Sequence, residues 1–185
     1  MSRKVMSTLS GAHYLLIITF SIIFILTSVA VYGGTHYAVF QVKDFFSGEV
    51  VFEKLVRIGT NFTLAYIHSV TNQPVYEVFT VEDNHTLAMV EMRYDSFGAN
   101  LPVGPEKLAD ETTRFIVEDG YYKILYENRR FEKVPLRVGQ VVADHTLIFP
   151  DGTRLRFLDV VDGGAYVEFY VMPLLDRIRE RGHRG

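Results

Sequence analysis

The residues best suited to chemistry lie in one short stretch, His68-Ser69-Val70-Thr71-Asn72-Gln73-Pro74-Val75-Tyr76-Glu77. It brings an imidazole, a hydroxyl and a carboxylate together around a turn. His68 has the parity of Phe62, Leu64 and Tyr66, and Glu77 that of Val75, Phe79 and Val81. With a turn centred on Asn72-Gln73, His68 and Glu77 become cross-strand neighbours on an apolar sheet face. An ionisable pair placed there has to be mutually satisfied, since a lone buried charge is costly. Two readings stay open: a pair that orients a ligand, or a structural polar bridge at a sheet end. Other polar residues can join it. Ser69 adjoins His68, Ser96 and Gly98 open a long loop, Asn128 and Arg129 follow a Tyr-rich strand, and His145 shares the parity of Leu147 and Phe149. These eight residues form the candidate polar site.

Stronger chemical signatures are missing from the sequence. His68, Glu77 and His145 are donors that a divalent ion accepts, but there is no His-x-His, H-E-x-x-H or EF-hand spacing. A Ser69–His145–Asp triad lacks the G-x-S-x-G elbow that would present the nucleophile. No phosphate-cradling or dinucleotide motif occurs. The expectation is a protein that is not an enzyme, with no catalytic residue, metal or cofactor assigned.

Composition narrows the classes further. The 185 residues are 48% hydrophobic, with no Cys or Trp and a formal net charge of −3. This apolar content suits a packed core and excludes disorder, and the missing cysteines exclude disulfides and thiolate metal sites. Arg3 and Lys4 precede the first apolar run, and four of the other Arg residues lie between Asp176 and Gly185. Without these two ends the body carries 13 basic and 20 acidic residues, a surface ill-suited to phosphate, so nucleic acid is not an expected partner.

The elements that must position the candidate site begin beyond an apolar run. Residues 14–32, YLLIITFSIIFILTSVAVY, contain no charge, Pro or Gly. As a helix at 1.5 Å per residue the run spans about 28 Å, close to the hydrocarbon thickness of a bilayer. Thr19, Ser21, Thr27 and Ser28 can return their hydroxyls to the helix backbone. With Arg3 and Lys4 ahead of it, the positive-inside bias keeps residues 1–13 in the cytoplasm and sends the remainder across the cell membrane, to the periplasmic or extracellular side. A cleavable signal with Ser28-Val29-Ala30 as its processing site is the rival reading.

From residue 35 to 172 the pattern alternates with period two. Leu155 and Phe157 alternate with Arg154 and Arg156, and Val167, Phe169 and Val171 with Tyr166, Glu168 and Tyr170. Strands are predicted near 36–42, 49–58, 61–69, 74–81, 86–94, 113–118, 121–126, 129–134, 144–149, 153–161 and 165–172, separated by turns such as Glu118-Asp119-Gly120. The expected fold is all-β, an antiparallel β-sandwich or small barrel of about ten strands, behind one transmembrane helix. The loop Ser96–Asp110 is long for such a domain, and its Phe97 and Leu101 predict that it lies over the sheet. Residues 173–185 form a basic tail, read either as a short helix with an Arg-rich face toward anionic lipid or a membrane partner, or as a solvated end.

At the His68 stretch the chain resembles the bacterial and archaeal family described as domain of unknown function 1850. Tyr66-Ile67-His68-Ser69-Val70 with Pro74-Val75-Tyr76-Glu77-Val78-Phe79 is similar to the family's Y-x-H-S-V…P-x-x-E-x-F core. Ser96-Phe97-Gly98-Ala99-Asn100-Leu101-Pro102 resembles its S-F-G-A-G-L-P block, with Asn100 in place of a Gly. Asn128-Arg129, Leu136-Arg137-Val138-Gly139 and Asp144-His145-Thr146-Leu147 resemble its C-terminal half. The likeness runs through most of Phe40–Tyr170. It implies a small envelope protein, of a kind often encoded beside TAXI-type tripartite (TRAP) transporters, with no established catalytic activity. The expected function is that of a membrane-anchored extracytoplasmic accessory or interaction protein, with the TRAP permease or its solute-binding protein as partner. The alternative is a stand-alone envelope module that binds a ligand or metal.

Overall fold

The computed structural model describes residues 11–105, 107, 108 and 111–182. Arg3 and Lys4, on which the expected orientation rests, lie outside these residues, as do Glu106, Ala109 and Asp110 of the long loop and the last three residues of the tail. The chain divides into two units, one around an N-terminal helix and one beginning at Tyr37.

The helix, α1, runs Gly11–His36 and buries none of its residues against the protein. At 26 residues and a mean hydropathy of 2.5 it is long and apolar enough to cross a membrane, as an anchor or a signal sequence. Several of its hydroxyls return to the helix backbone: Thr19 donates to the Leu15 carbonyl at 2.9 Å and Ser28 to that of Phe24 at 2.8 Å, and Thr27 donates to Ile23. The polar side chains therefore do not oppose an apolar surrounding.

The second unit is mostly β. Its strands are β1 (Tyr37–Asp44), β2 (Val50–Arg57), β3 (Asn61–Ile67), β4 (Pro74–Val81), β5 (Leu87–Tyr94), β6 (Lys107–Leu108), β7 (Glu111–Glu118), β8 (Tyr121–Glu127), β9 (Arg130–Phe131), β10 (Lys133–Arg137), β11 (Thr146–Ile148), β12 (Arg154–Arg156) and β13 (Tyr166–Pro173), followed by helix α2 (Leu174–Gly182). Among the described residues they form two antiparallel sheets. The small sheet has the order β10-β13-β1-β2, and the large one β12-β11-β3-β4-β5-β8-β7-β6 with β9 also paired to β5. Two separate sheets packed face to face make this a sandwich.

The apolar parity of the sequence becomes the interior. Phe40 of the small sheet meets Phe62 and Phe149 of the large one at ring-centroid distances of 5.1 and 5.3 Å. Phe169 meets Phe79 at 5.5 Å and Phe62 at 6.1 Å. Such edge and stacked contacts add to the area that each ring removes from water. A bulge sharpens the fit: Val78 pairs with Glu91 but Phe79 pairs with Met89, leaving Val90 unmatched. The inward set on β5 therefore switches from Leu87 and Met89 to Met92 and Tyr94, all buried. Asp119 and Gly120, both at positive φ, close the β7–β8 hairpin at the predicted turn.

Two predicted strands are corrected. Residues 129–134 do not form one strand: Arg130–Phe131 pairs with β5 in the large sheet, whereas Lys133–Arg137 pairs with β13 in the small one. The chain changes sheets at Glu132, and Pro135 fits because β10 is an edge strand. Residues 153–161 do not remain extended either. After Arg156 the chain turns into a 3-10 turn at Phe157–Asp159, which sets the Phe157 ring fully inside.

The Phe40 ring joins the two sheets, so Phe40→Ala is expected to cost about 3–5 kcal/mol. Urea titration of the full-length protein in detergent checks this as a lowered midpoint with an unchanged slope.

Candidate functional site

His68 lies just past β3, in the connection to β4. Its N–H donates to the Gln73 carbonyl at 2.8 Å, and Asn72 N–H donates back to the His68 carbonyl at 2.8 Å. Asn72 takes φ 54°, a left-handed conformation that Asn tolerates better than most residues. The imidazole faces the long loop. Nε2 is 2.9 Å from the Ala99 carbonyl, and Nδ1 accepts from Thr71 N–H at 3.3 Å, an arrangement that puts the ring proton on Nε2.

Gly98 is needed at this contact. A Cβ on it would fall 2.8 Å from His68 Cε1 and 2.9 Å from Thr71 Cγ2. Two residues on, Asn100 sits at φ 66°, a left-handed backbone that Asn tolerates better than most residues. The loop then lies over the sheet as its apolar residues predict. Leu101 is buried, Tyr94 donates its hydroxyl to the Pro102 carbonyl, and the Phe97 ring stacks on Tyr122 at 4.1 Å. His68 and Gly98 thus form a clamp that holds the loop down.

The expected His68–Glu77 pair is not formed. The β3–β4 register places Leu64, not His68, opposite Glu77. The reason is that the turn spans Ser69–Asn72, shifting its centre two residues toward the N-terminus. Glu77 still points inward, where its carboxylate accepts from the Tyr66 hydroxyl at 3.1 Å. Burial raises its pKa, and the Tyr66 hydrogen bond and the Arg129 charge oppose that rise. The Tyr66 phenol is in turn pushed up by burial and by the Glu77 charge.

Arg129 reaches this array from the β8–β9 turn. Its guanidinium stands 4.8 Å from the Tyr126 ring centroid, and Nη1 lies 3.8 Å from Glu111. Its Nε is buried without a hydrogen-bond partner. His145 is buried as well, its ring 5.1 Å from that of Tyr66, and Nδ1 accepts from Gly139 N–H at 3.2 Å. Burial lowers its pKa against the opposing pull of Asp144.

The other candidates lie apart from this array. Ser69 is exposed in the turn and makes no side-chain hydrogen bond among the described residues, Ser96 donates to Asp95 at 3.1 Å, and Asn128 accepts from Arg130, which is ion-paired to Glu82. Among the described residues no three His, Asp or Glu side chains gather as metal ligands would. Tyr66, Thr71, Tyr126, Gly139 and Glu111 complete the arrangement. Of these, Tyr66 carried a sequence signal in the parity it shares with His68, and Gly139 in the Leu136–Gly139 block.

The residues of both groups lie within a match to the family model described as Domain of unknown function (DUF1850), over residues 62–155. The chain belongs to this family. No curated protein and no solved structure matches it. The matched span runs from β3 into β12 and so takes in the large sheet, the clamp and the polar array. It leaves out β1, β2 and β13, whose Phe40 and Phe169 complete the core. The DUF1850 region therefore needs flanking strands from the same chain to close its interior.

Gly98→Ala is expected to destabilise the domain by about 1–3 kcal/mol by overpacking the His68 ring. The same change in a His68→Ala background costs much less, because the space is then empty. A double-mutant cycle by denaturant titration, with protease cleavage of the loop as a second readout, checks this coupling.

The two buried ionisable groups have opposite pH signs. His145 titrates in the folded state below its ordinary 6.5, so acidification through and below 6.5 protonates the unfolded chain first and lowers stability. Glu77 is raised above 4.5, so stability falls as pH rises from 4.5 through its folded value. His145→Gln and Glu77→Gln are each expected to flatten one of these slopes in unfolding free energy measured against pH.

Proposed function

We propose that this DUF1850 protein is a non-catalytic, membrane-anchored accessory module, held by α1 with its β domain outside the cytoplasm, that works beside a TAXI-type TRAP solute transporter. Three features support this reading. The apolar helix has the length of a membrane span, the basic residues precede it in sequence, and the family resemblance points toward that transporter class. His68 and Gly98 are occupied in fixing the loop, Glu77 accepts from the Tyr66 hydroxyl and His145 accepts from Gly139 N–H, which suits a scaffold.

The observation that carries an interaction role is the β1–β2 hairpin tip. Phe45 is 57% and Phe46 77% exposed, and with Tyr166, Pro135 and Val167 they line an apolar hollow of about 310 Å³. Phe46 meets Tyr166 edge-on at 5.8 Å, and Arg137 covers the Tyr166 ring at 5.1 Å. Clustered aromatics left in water at a turn that needs only polar residues mark a contact surface.

Affinity capture of the detergent-solubilised protein under native expression is expected to recover the TRAP permease or its solute-binding protein. Phe46→Asp is expected to reduce recovery at least about tenfold, the loss of one aromatic anchor, while leaving the melting temperature unchanged. Capture that recovers neither component from cells expressing both refutes the accessory role.

A further inference from the structure

Helix α2 is docked on the outer face of the small sheet by one carboxylate. Glu53 takes Arg177 and, at 2.6 Å, Arg181, and it also accepts from Gln41 at 2.7 Å. Gln41 in turn accepts from the Tyr170 hydroxyl at 2.8 Å and is itself buried, although it is polar and on the outer face. This network lowers the Glu53 pKa against the effect of its burial. It fixes how α2 is turned. Leu175 and Ile178, one helical turn apart, are left 51% and 58% exposed, and Leu55 of β2, which shares a hollow of about 230 Å³ with Ile178, is 54% exposed. The protein covers one side of α2 and leaves the other apolar side bare.

The place of this bare side indicates its occupant. Pro173, the residue before α2, pairs with Ala38, and Arg57 pairs with Tyr37. That end of the sheet is where the chain arrives from α1, with no residue between His36 and Tyr37. Near the apolar residues stand Arg57, on the same face of β2 as Leu55, and Arg179, whose exposed ion pair with Asp176 is one that water and lipid phosphate both compete for. Apolar side chains flanked by arginine suit the boundary between headgroups and acyl chains.

We infer that the α2–β2 surface lies against the phospholipid surface of the membrane that holds α1, with Leu55, Leu175 and Ile178 entering the headgroup boundary and Arg57 and Arg179 meeting lipid phosphates. This rests on α1 being membrane-embedded.

The chain has no Trp, so a single Ile178→Trp change at an exposed position supplies a clean reporter. The full-length variant is placed in nanodiscs of phosphatidylcholine, with or without phosphatidylglycerol, containing lipids brominated near the headgroup. The expected result is blue-shifted I178W emission quenched by bromine, more strongly with phosphatidylglycerol, while a Phe46→Trp reporter at the opposite end of β1 stays unquenched. Adding Arg179→Gln lowers partition of this surface about fivefold, the weight of one arginine at an anionic surface. Emission typical of water and insensitive to bromine, in protein that remains in the discs, overturns the inference and spares the anchor. A blue shift that depends on protein density without quenching assigns the surface to a second copy and also overturns it. Quenching equal in both lipids removes the phosphate contacts, and failure of the protein to stay in the discs overturns the anchor and the inference together.

Discussion

The two sheets differ in width, and most of the domain's special features follow from that mismatch. Four strands cannot cover the inner face of nine. The aromatic contacts show where coverage reaches: Phe40 and Phe169 lie over Phe62, Phe79 and Phe149, which belong to β3, β4 and the segment just after β11. From the end of β5 onward the inner face carries Tyr94, Tyr122 and Phe115, and among the described residues the small sheet supplies no ring against them. The long loop takes its place, laying Phe97, Leu101 and Pro102 over that region. A loop used as a sheet cover has to be held, and its backbone polar groups need partners. The His68–Gly98 clamp answers both needs, giving the Ala99 carbonyl a donor and letting the loop backbone press against the ring.

The polar array of Tyr66, Glu77, Arg129 and His145 occupies the same large sheet close to the clamp. A carboxylate on an inward strand position is unfavourable in isolation, and here its charge is met by a phenol hydroxyl and a guanidinium together. The guanidinium is held over Tyr126 and near Glu111, so one cation serves two acids on strands that are not adjacent. Such a group ties β4, β7 and the β8–β9 turn to one arrangement, which sharpens the register of a sheet whose width gives it many ways to slip. The near-buried Nε of Arg129 is the one member of the array left without a partner among the described residues that were assigned to the site.

What was legible in the sequence follows the range of the physics involved. Alternation is local, so the inward faces of β3, β4, β11 and β13 were readable, as was the Asp119-Gly120 hairpin. The neighbour across a strand is not local. Moving the β3–β4 turn centre by two residues moves the pairing by four, an even shift that keeps Glu77 on the inner face while giving it Tyr66 in place of His68. The bulge at Val90 and the change of sheet at Glu132 stayed hidden for the same reason, because each is decided by a partner strand distant in sequence. Gly98 stood out as a residue type, yet its purpose depends on a side chain thirty positions away. The tail reads either as a short helix with an Arg-rich face toward lipid or a membrane partner or as a solvated end, whereas Arg177 turns inward to Glu53.

Strand β1 connects the two surfaces that the domain leaves apolar. It begins beside α2 and ends at the Phe45–Phe46 tip, eight residues on, a rise of about 26 Å at the usual strand spacing. If the α2 end rests on the bilayer, an upright small sheet carries its aromatic tip well clear of the headgroups. The asymmetry comes from the chain itself, which places the exposed aliphatic residues of α2 and β2 at one end of β1 and the exposed rings of Phe45 and Phe46 at the other.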